Sequence, residues 1–128
     1  MKERYLFRAK RKDSGEWVFG GLSYCEKTGA YFITNMGKDH ISYIGYHQEV
    51  NPDTICQCTG LKDKNDNLIW ENDIVKINNS EINALITFRD FEIICTIPRE
   101  KYYKHRLEHT TEYEVVGNVF DNPELLEE

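Results

Sequence analysis

The chain has 128 residues, 40% of them hydrophobic and 12% aromatic, enough for one domain or for two small β units with a real core. With 30% charged residues it is not a wholly disordered chain, and its longest apolar runs, Ile82 to Phe88 and Phe91 to Ile97, fall far short of the roughly 20 residues a membrane-spanning helix needs. The net charge of −6 is unevenly spread: Lys2, Arg4, Arg8, Lys10, Arg11 and Lys12 stand against Glu3 alone in the first dozen residues, whereas residues 108–128 hold seven acids and no Lys or Arg.

Met1 to Arg8 carries charge and no apolar core of a secretory signal, so a cytoplasmic protein is expected. In that reducing compartment Cys25, Cys56, Cys58 and Cys95 are expected as free thiols. Turn chemistry then punctuates the chain at Asp13-Ser14-Gly15, Lys27-Thr28-Gly29, Asn35-Met36-Gly37, Asn51-Pro52-Asp53, Asp63 to Asn67, Asn78-Asn79-Ser80 and Arg89-Asp90. Between the first of these, period-two alternation predicts strands around Tyr5 to Ala9, Trp17 to Phe19, Tyr31 to Ile33 and Ile41 to Gly45. Further strands are predicted over Ile74 to Ile77, Ile82 to Phe88, Phe91 to Ile97 and Tyr113 to Phe120. Strand following strand without intervening helices predicts a meander and an all-β class with minor α content.

Arg99 to His109 has no breaker but only a partial apolar stripe, so a short helix and a loop fit it equally. At Asn122-Pro123-Glu124-Leu125-Leu126 the signals are stronger. Asn122 suits an N-cap, Pro123 the first helical position and Glu124 the positive helix end, and Leu125 and Leu126 should dock on the body. The expected division is an N-terminal β meander over residues 1–55 and a second β unit over 56–128 that ends in this short helix.

Two stretches carry a recognisable pattern: Thr59-Gly60-Leu61-Lys62-Asp63 through Asn67 with Glu71-Asn72-Asp73-Ile74-Val75, and Glu114-Val115-Val116-Gly117-Asn118-Val119 with Asn122-Pro123-Glu124-Leu125-Leu126. Together they resemble the YopX family of phage and prophage proteins. Weaker echoes at Phe7-Arg8-Ala9, Trp17 to Gly20, Thr54 and Gln57 extend the likeness over most of the chain. Where the family often has Gly, this chain has Asp66 or Asn67, and Asn72; Asn and Asp are the side chains that best tolerate positive φ, so the turns should survive. The resemblance implies a β-dominated fold whose C-terminal part is an SH3-like barrel, and a bacterial host cell as the setting. It transfers no catalytic residue and no cofactor. Read on their own, Asp73 should accept backbone N–H groups at a strand entrance, and Gly117-Asn118 should mark a bulge or sharp corner.

Four constellations bear on chemistry. Cys56-Gln57-Cys58 with His105 and His109 offers zinc ligands, but one intervening residue is too few for a structural zinc pair. Asp63, Asn65 and Asn67 match the start of a calcium loop, which then fails at Leu68 and Ile74, so an Asx-rich turn is favoured. Glu71 and Asp73 read as strand-entry carboxylates before an acid–base pair. The basic N-terminus with Tyr5, Phe7, Tyr24, Tyr31 and Phe32 has the composition of a base-stacking platform, set against an isoelectric point of about 5.2. No catalytic, cofactor or metal residue is assigned. The expected role is a non-catalytic interaction or assembly module, a homo-oligomer with phage or host protein partners and no membrane; the alternative is a nucleic-acid-binding β-barrel protein.

Overall fold

The computed structural model describes residues 5–36, 43–78, 80–89, 92–97, 104–106 and 111–126. The chain divides into two compact units, Met1–Cys58 and Thr59–Glu128. Both are built from antiparallel strands, and the helical content among the described residues is short 3-10 turns.

In the first unit β1 (Phe7–Lys10), β2 (Trp17–Cys25), β3 (Ala30–Met36) and β4 (Tyr43–Val50) follow one another as a meander, and β5 (Cys56–Lys62) begins on the free side of β1. The predicted turns supply the reversals. Gly15 and Gly29 sit at φ +77° and +73°, a left-handed conformation that costs glycine nothing, and Gly29 N–H closes onto Cys25 O at 2.8 Å. Register then sorts the side chains. Ala9 opposes Val18, Leu22 opposes Ile33, and Tyr31 opposes Val50, so one face gathers the buried Ala9, Val18, Ile33 and Val50 with Phe7, Leu22, Tyr31 and Ile55 around them. Full burial of a side chain such as Ile33 is worth about 1.5–3 kcal/mol. The far edge is partly closed as well: Lys12 N–H donates to Glu49 O at 3.0 Å and Asn51 N–H to Lys10 O at 2.9 Å, so the end of β4 returns to the end of β1. Asn51 then caps a 3-10 turn over Pro52–Thr54, its side chain accepting from Asp53 N–H.

The second unit takes over within β5 at Thr59. Its remaining strands are β6 (Leu68–Trp70), β7 (Asp73–Ile77), β8 (Asn83–Arg89), β9 (Glu92–Thr96), β10 (Lys104–Arg106) and β11 (Tyr113–Asn118). A five-stranded sheet runs β10-β9-β8-β7-β11, so the last strand comes back beside the first of its meander. Val75, Ala84, Ile86, Cys95, Ile97, Tyr113 and Ile69 form its core.

Two expectations need correction. Asn35 and Met36 continue β3 and pair with Gly20 and Tyr43 instead of turning, because the aromatic and β-branched run Tyr31 to Thr34 before them carries the ladder past a local turn signal; Gly37 lies outside the described residues. Within Arg99 to His109 the described part, Lys104–Arg106, is neither helix nor loop but a strand on β9, with His105 opposite Cys95. Strands β5 and β6 carry no clean alternation: in β5 Cys56, Cys58 and the adjacent Thr59 are all buried, so periodicity does not find the strand. The C-terminal helix is a single 3-10 turn, Pro123–Leu126, with Leu125 and Leu126 half-buried and Leu125 O accepting from Asn83 Nδ2 at 2.7 Å.

Candidate functional site

The motif residues converge on one carboxylate. Asp63, 6% exposed, receives Asn65 N–H and Asn67 N–H on Oδ1, each at 2.9 Å, and Val115 N–H on Oδ2 at 3.0 Å. Lys64 N–H adds a bond to Tyr113 O at 2.8 Å, so the Asp63 turn lies along β11 and occupies backbone groups that an edge strand would otherwise present. Burial pushes the Asp63 carboxyl up, but the N–H groups of Val115, Asn67 and Asn65 together outweigh it and hold the group below the usual carboxylate range. A carboxylate engaged by three backbone donors is a brace. The Asx-rich turn expected of Asp63, Asn65 and Asn67 is formed by these bonds.

The remaining motif positions are architectural too. Asp66 and Asn72 adopt φ +69° and +72°, the left-handed conformation that Asn and Asp tolerate best after glycine. Asp73, 1% exposed, accepts Trp70 N–H at 2.8 Å at the entrance to β7, while Glu71 is half-buried in the preceding turn. The ladder between β11 and β7 slips between Val115 and Gly117, which is the expected bulge. A Cβ on Gly117 would fall 2.6 Å from Asn122 Oδ1, so the glycine and Asn122 are fitted to each other. Asn122 also turns its side chain backward, accepting Asn118 N–H at 3.2 Å, which ties the bulge to the last turn.

All four cysteines are free thiols; Cys56, Cys58 and Cys95 are buried and Cys25 is half-buried. Cys56 Sγ donates to Thr54 O at 3.3 Å, and burial pushes the Cys95 thiol up to about 12. Cys25 is held below its ordinary value by hydrogen bonds from the Thr28 side chain and the Thr28 and Lys27 backbone. Among the described residues no group of three metal-ligating side chains comes together; His109 lies outside them.

A row of aromatic and cationic side chains lies on the outer face of the first unit's sheet. Pairing of Lys10 with Trp17, Arg8 with Phe19, Gly21 with Thr34, Ser23 with Phe32 and Thr34 with His47 puts all these residues on the face opposite the core. The Trp17 ring carries the Arg8 guanidinium at 4.6 Å and the Lys10 ammonium at 5.5 Å from its centre. Phe19 is 45% exposed. Phe32 meets the His47 ring edge-on at 6.2 Å, and Thr34 Oγ1 lies 2.8 Å from His47 Nδ1. Between Phe19 and Ser23, a Cβ on Gly21 would have nothing within 4 Å.

This arrangement splits the aromatic set expected of a platform. Phe7 and Tyr31 pack on the core, the exposed Tyr24 lies tilted against Tyr31 at 4.8 Å on that same side, the exposed Tyr5 precedes β1, and Phe32 joins the outer face alongside Trp17 and Phe19. Hydrophobic alternation alone leaves open which of two aromatic rows faces out; register against Ala9 and Ile33 decides it. The basic residues are also partly engaged: Arg11 pairs with Asp13 at 2.8 Å and Lys12 with Glu49 at 3.3 Å. Beside them a cleft of about 430 Å³ is lined by Arg11, Lys12, Asp13, His47, Gln48 and Glu49, a set in which the two cations and two carboxylates balance.

Compared with known proteins, residues 6–127 match the profile of the family described as YopX protein. No curated protein matches the chain.

Proposed function

The chain belongs to the YopX protein family, and from that premise we propose that it is a phage-type, non-catalytic interaction or assembly module that associates with further copies of itself. The carrying observation is the division of charge. Residues 1–58 hold eight Lys and Arg against seven Asp and Glu, a net of +1, and residues 59–128 hold eight against fifteen, a net of −7. Units so unlike attract head to tail between copies while like units repel, over distances of about a Debye length.

The polar motif residues Asp63, Asp66, Asn72 and Asp73 support a non-catalytic role, because they are engaged in turns and a strand entrance. The second unit is read as SH3-like on the strength of its strand order, and the chain as cytoplasmic in a bacterial host; no helix among the described residues is long and apolar enough to cross a membrane. Light scattering coupled to size exclusion at 20 mM and 500 mM NaCl tests association. An oligomer at low salt that dissociates at high salt is expected, and a monomer at every protein concentration would overturn the reading.

A further inference from the structure

We propose that the outer face of the first unit's sheet binds single-stranded nucleic acid, seating an unpaired base on the open backbone at Gly21. A glycine in the middle of a strand weakens that strand and often marks a place where a ligand approaches the backbone closely. Gly21 has no packing reason to lack a side chain: its φ is not positive, and an added Cβ would meet nothing within 4 Å. What surrounds the gap suits a flat heteroaromatic ring. Phe19 stands two residues before it, about 7 Å away along the strand, and Phe32 lies across the ladder beyond it. Both rings offer a face or edge to a base. Opposite Gly21 stands Thr34, hydrogen-bonded to His47, so a hydroxyl and an imidazole, which both donate and accept, border the same slot.

Charge selects the ligand. Lys10, opposite Trp17, and Lys12, in the turn after β1, lie toward one end of this face, so a strand seated at Gly21 would run its neighbouring phosphates toward them. The Lys12 partner, Glu49, is in an exposed pair that contributes little and exchanges readily for a phosphate. The second unit, at −7, repels phosphate and confines such a ligand to the first. An extended single strand fits better than a duplex because base faces, hidden inside a duplex, are what exposed aromatic rings recognise.

The test is fluorescence anisotropy of 5′-fluorescein-labelled dT15 and rU15 titrated with the full chain at 20 mM and 200 mM NaCl. Binding is expected at low salt and should weaken about 25-fold over that tenfold salt increase, the response of two phosphate contacts on a single strand. Gly21→Val should fold with an unchanged or higher melting temperature, since a β-branched residue suits an open strand position, yet lose at least about tenfold in affinity. Phe19→Ala and Phe32→Ala should each cost about fivefold or more; they keep the test decisive if Gly21→Val fails to fold. Absence of binding by either oligonucleotide at 20 mM NaCl would overturn the proposal. So would binding that all three substitutions leave intact, or equal competition by an unlabelled 15-base-pair duplex. If Phe19→Ala instead dissociates an oligomer that binds no oligonucleotide, the face is a protein interface and the proposal is wrong. A monomer that binds dT15 would sustain it while overturning self-association, so the two readings fail separately.

Discussion

The two glycines Gly21 and Gly117 show how differently the two units use the same residue. In the first unit Gly21 faces open space on a sheet surface lined with Phe19, Phe32 and His47, and nothing in the fold requires it to be small. In the second unit Gly117 sits at the bulge of β11 with Asn122 Oδ1 where its Cβ would be. The family's clearest motif residues lie in the second unit and brace turns, whereas the exposed aromatic and cationic chemistry lies in the first, where the motif is weak. Strong motif density here therefore marks architecture. The surface that meets a partner is sought where the fold makes least demand on the residues.

The largest effect that sharpens this contrast is expected at Asp63. In Asp63→Asn the amide nitrogen would confront a backbone N–H that now donates to a carboxylate oxygen, leaving a half-buried donor without an acceptor and costing about 2–3 kcal/mol of stability in urea denaturation. Because the folded carboxyl titrates below its unfolded value of about 3.9, its contribution is complete above that pH and is lost as pH falls through the folded value. Wild-type stability should thus fall below about pH 4, and Asp63→Asn should flatten that fall. If wild type and variant show the same acid limb, Asp63 is not the brace described.

A smaller effect separates the two glycines directly. Gly117→Ala should destabilise by about 1–3 kcal/mol as Asn122 is pushed off the bulge, while Gly21→Ala should stay within about 0.5 kcal/mol of wild type or exceed it. Thermal melts of both variants decide this, and equal losses would erase the distinction between an open and a filled glycine. The least perturbing measurement is thiol labelling of the native chain. Cys25 should react first with a disulfide reagent such as DTNB, and Cys95, buried with its thiol near 12, only on unfolding.

Much of this is legible in the sequence. The hairpin turns at Asp13 to Gly15 and Lys27 to Gly29, the bulge at Gly117 and the tolerance of positive φ at Asn72 follow from the conformational limits of Gly and Asn, which act locally. Strands β5, β6 and β10 were not legible. They are short or buried on both faces, and their identity depends on partners far along the chain. Composition likewise groups Tyr5, Phe7, Tyr24, Tyr31 and Phe32 as one stacking set, whereas register puts Trp17 and Phe19 on the face that Phe32 shares.

The sequence by itself determined the all-β class, the positions of most reversals and the family, because alternation, turn residues and ordered motifs are properties of neighbouring positions. Tertiary structure decided what the motif is for and which surface is open. Asp63 meets Val115 only once β11 has paired with β7, and Phe19, Gly21, Thr34 and Phe32 share a face only once β2 and β3 have taken their register. A one-residue slip between β2 and β3 would put Phe19 and Gly21 on the opposite face from Thr34 and Phe32, and the burial of Val18 and Ile33 on one face, with the turn at Gly29, forbids it.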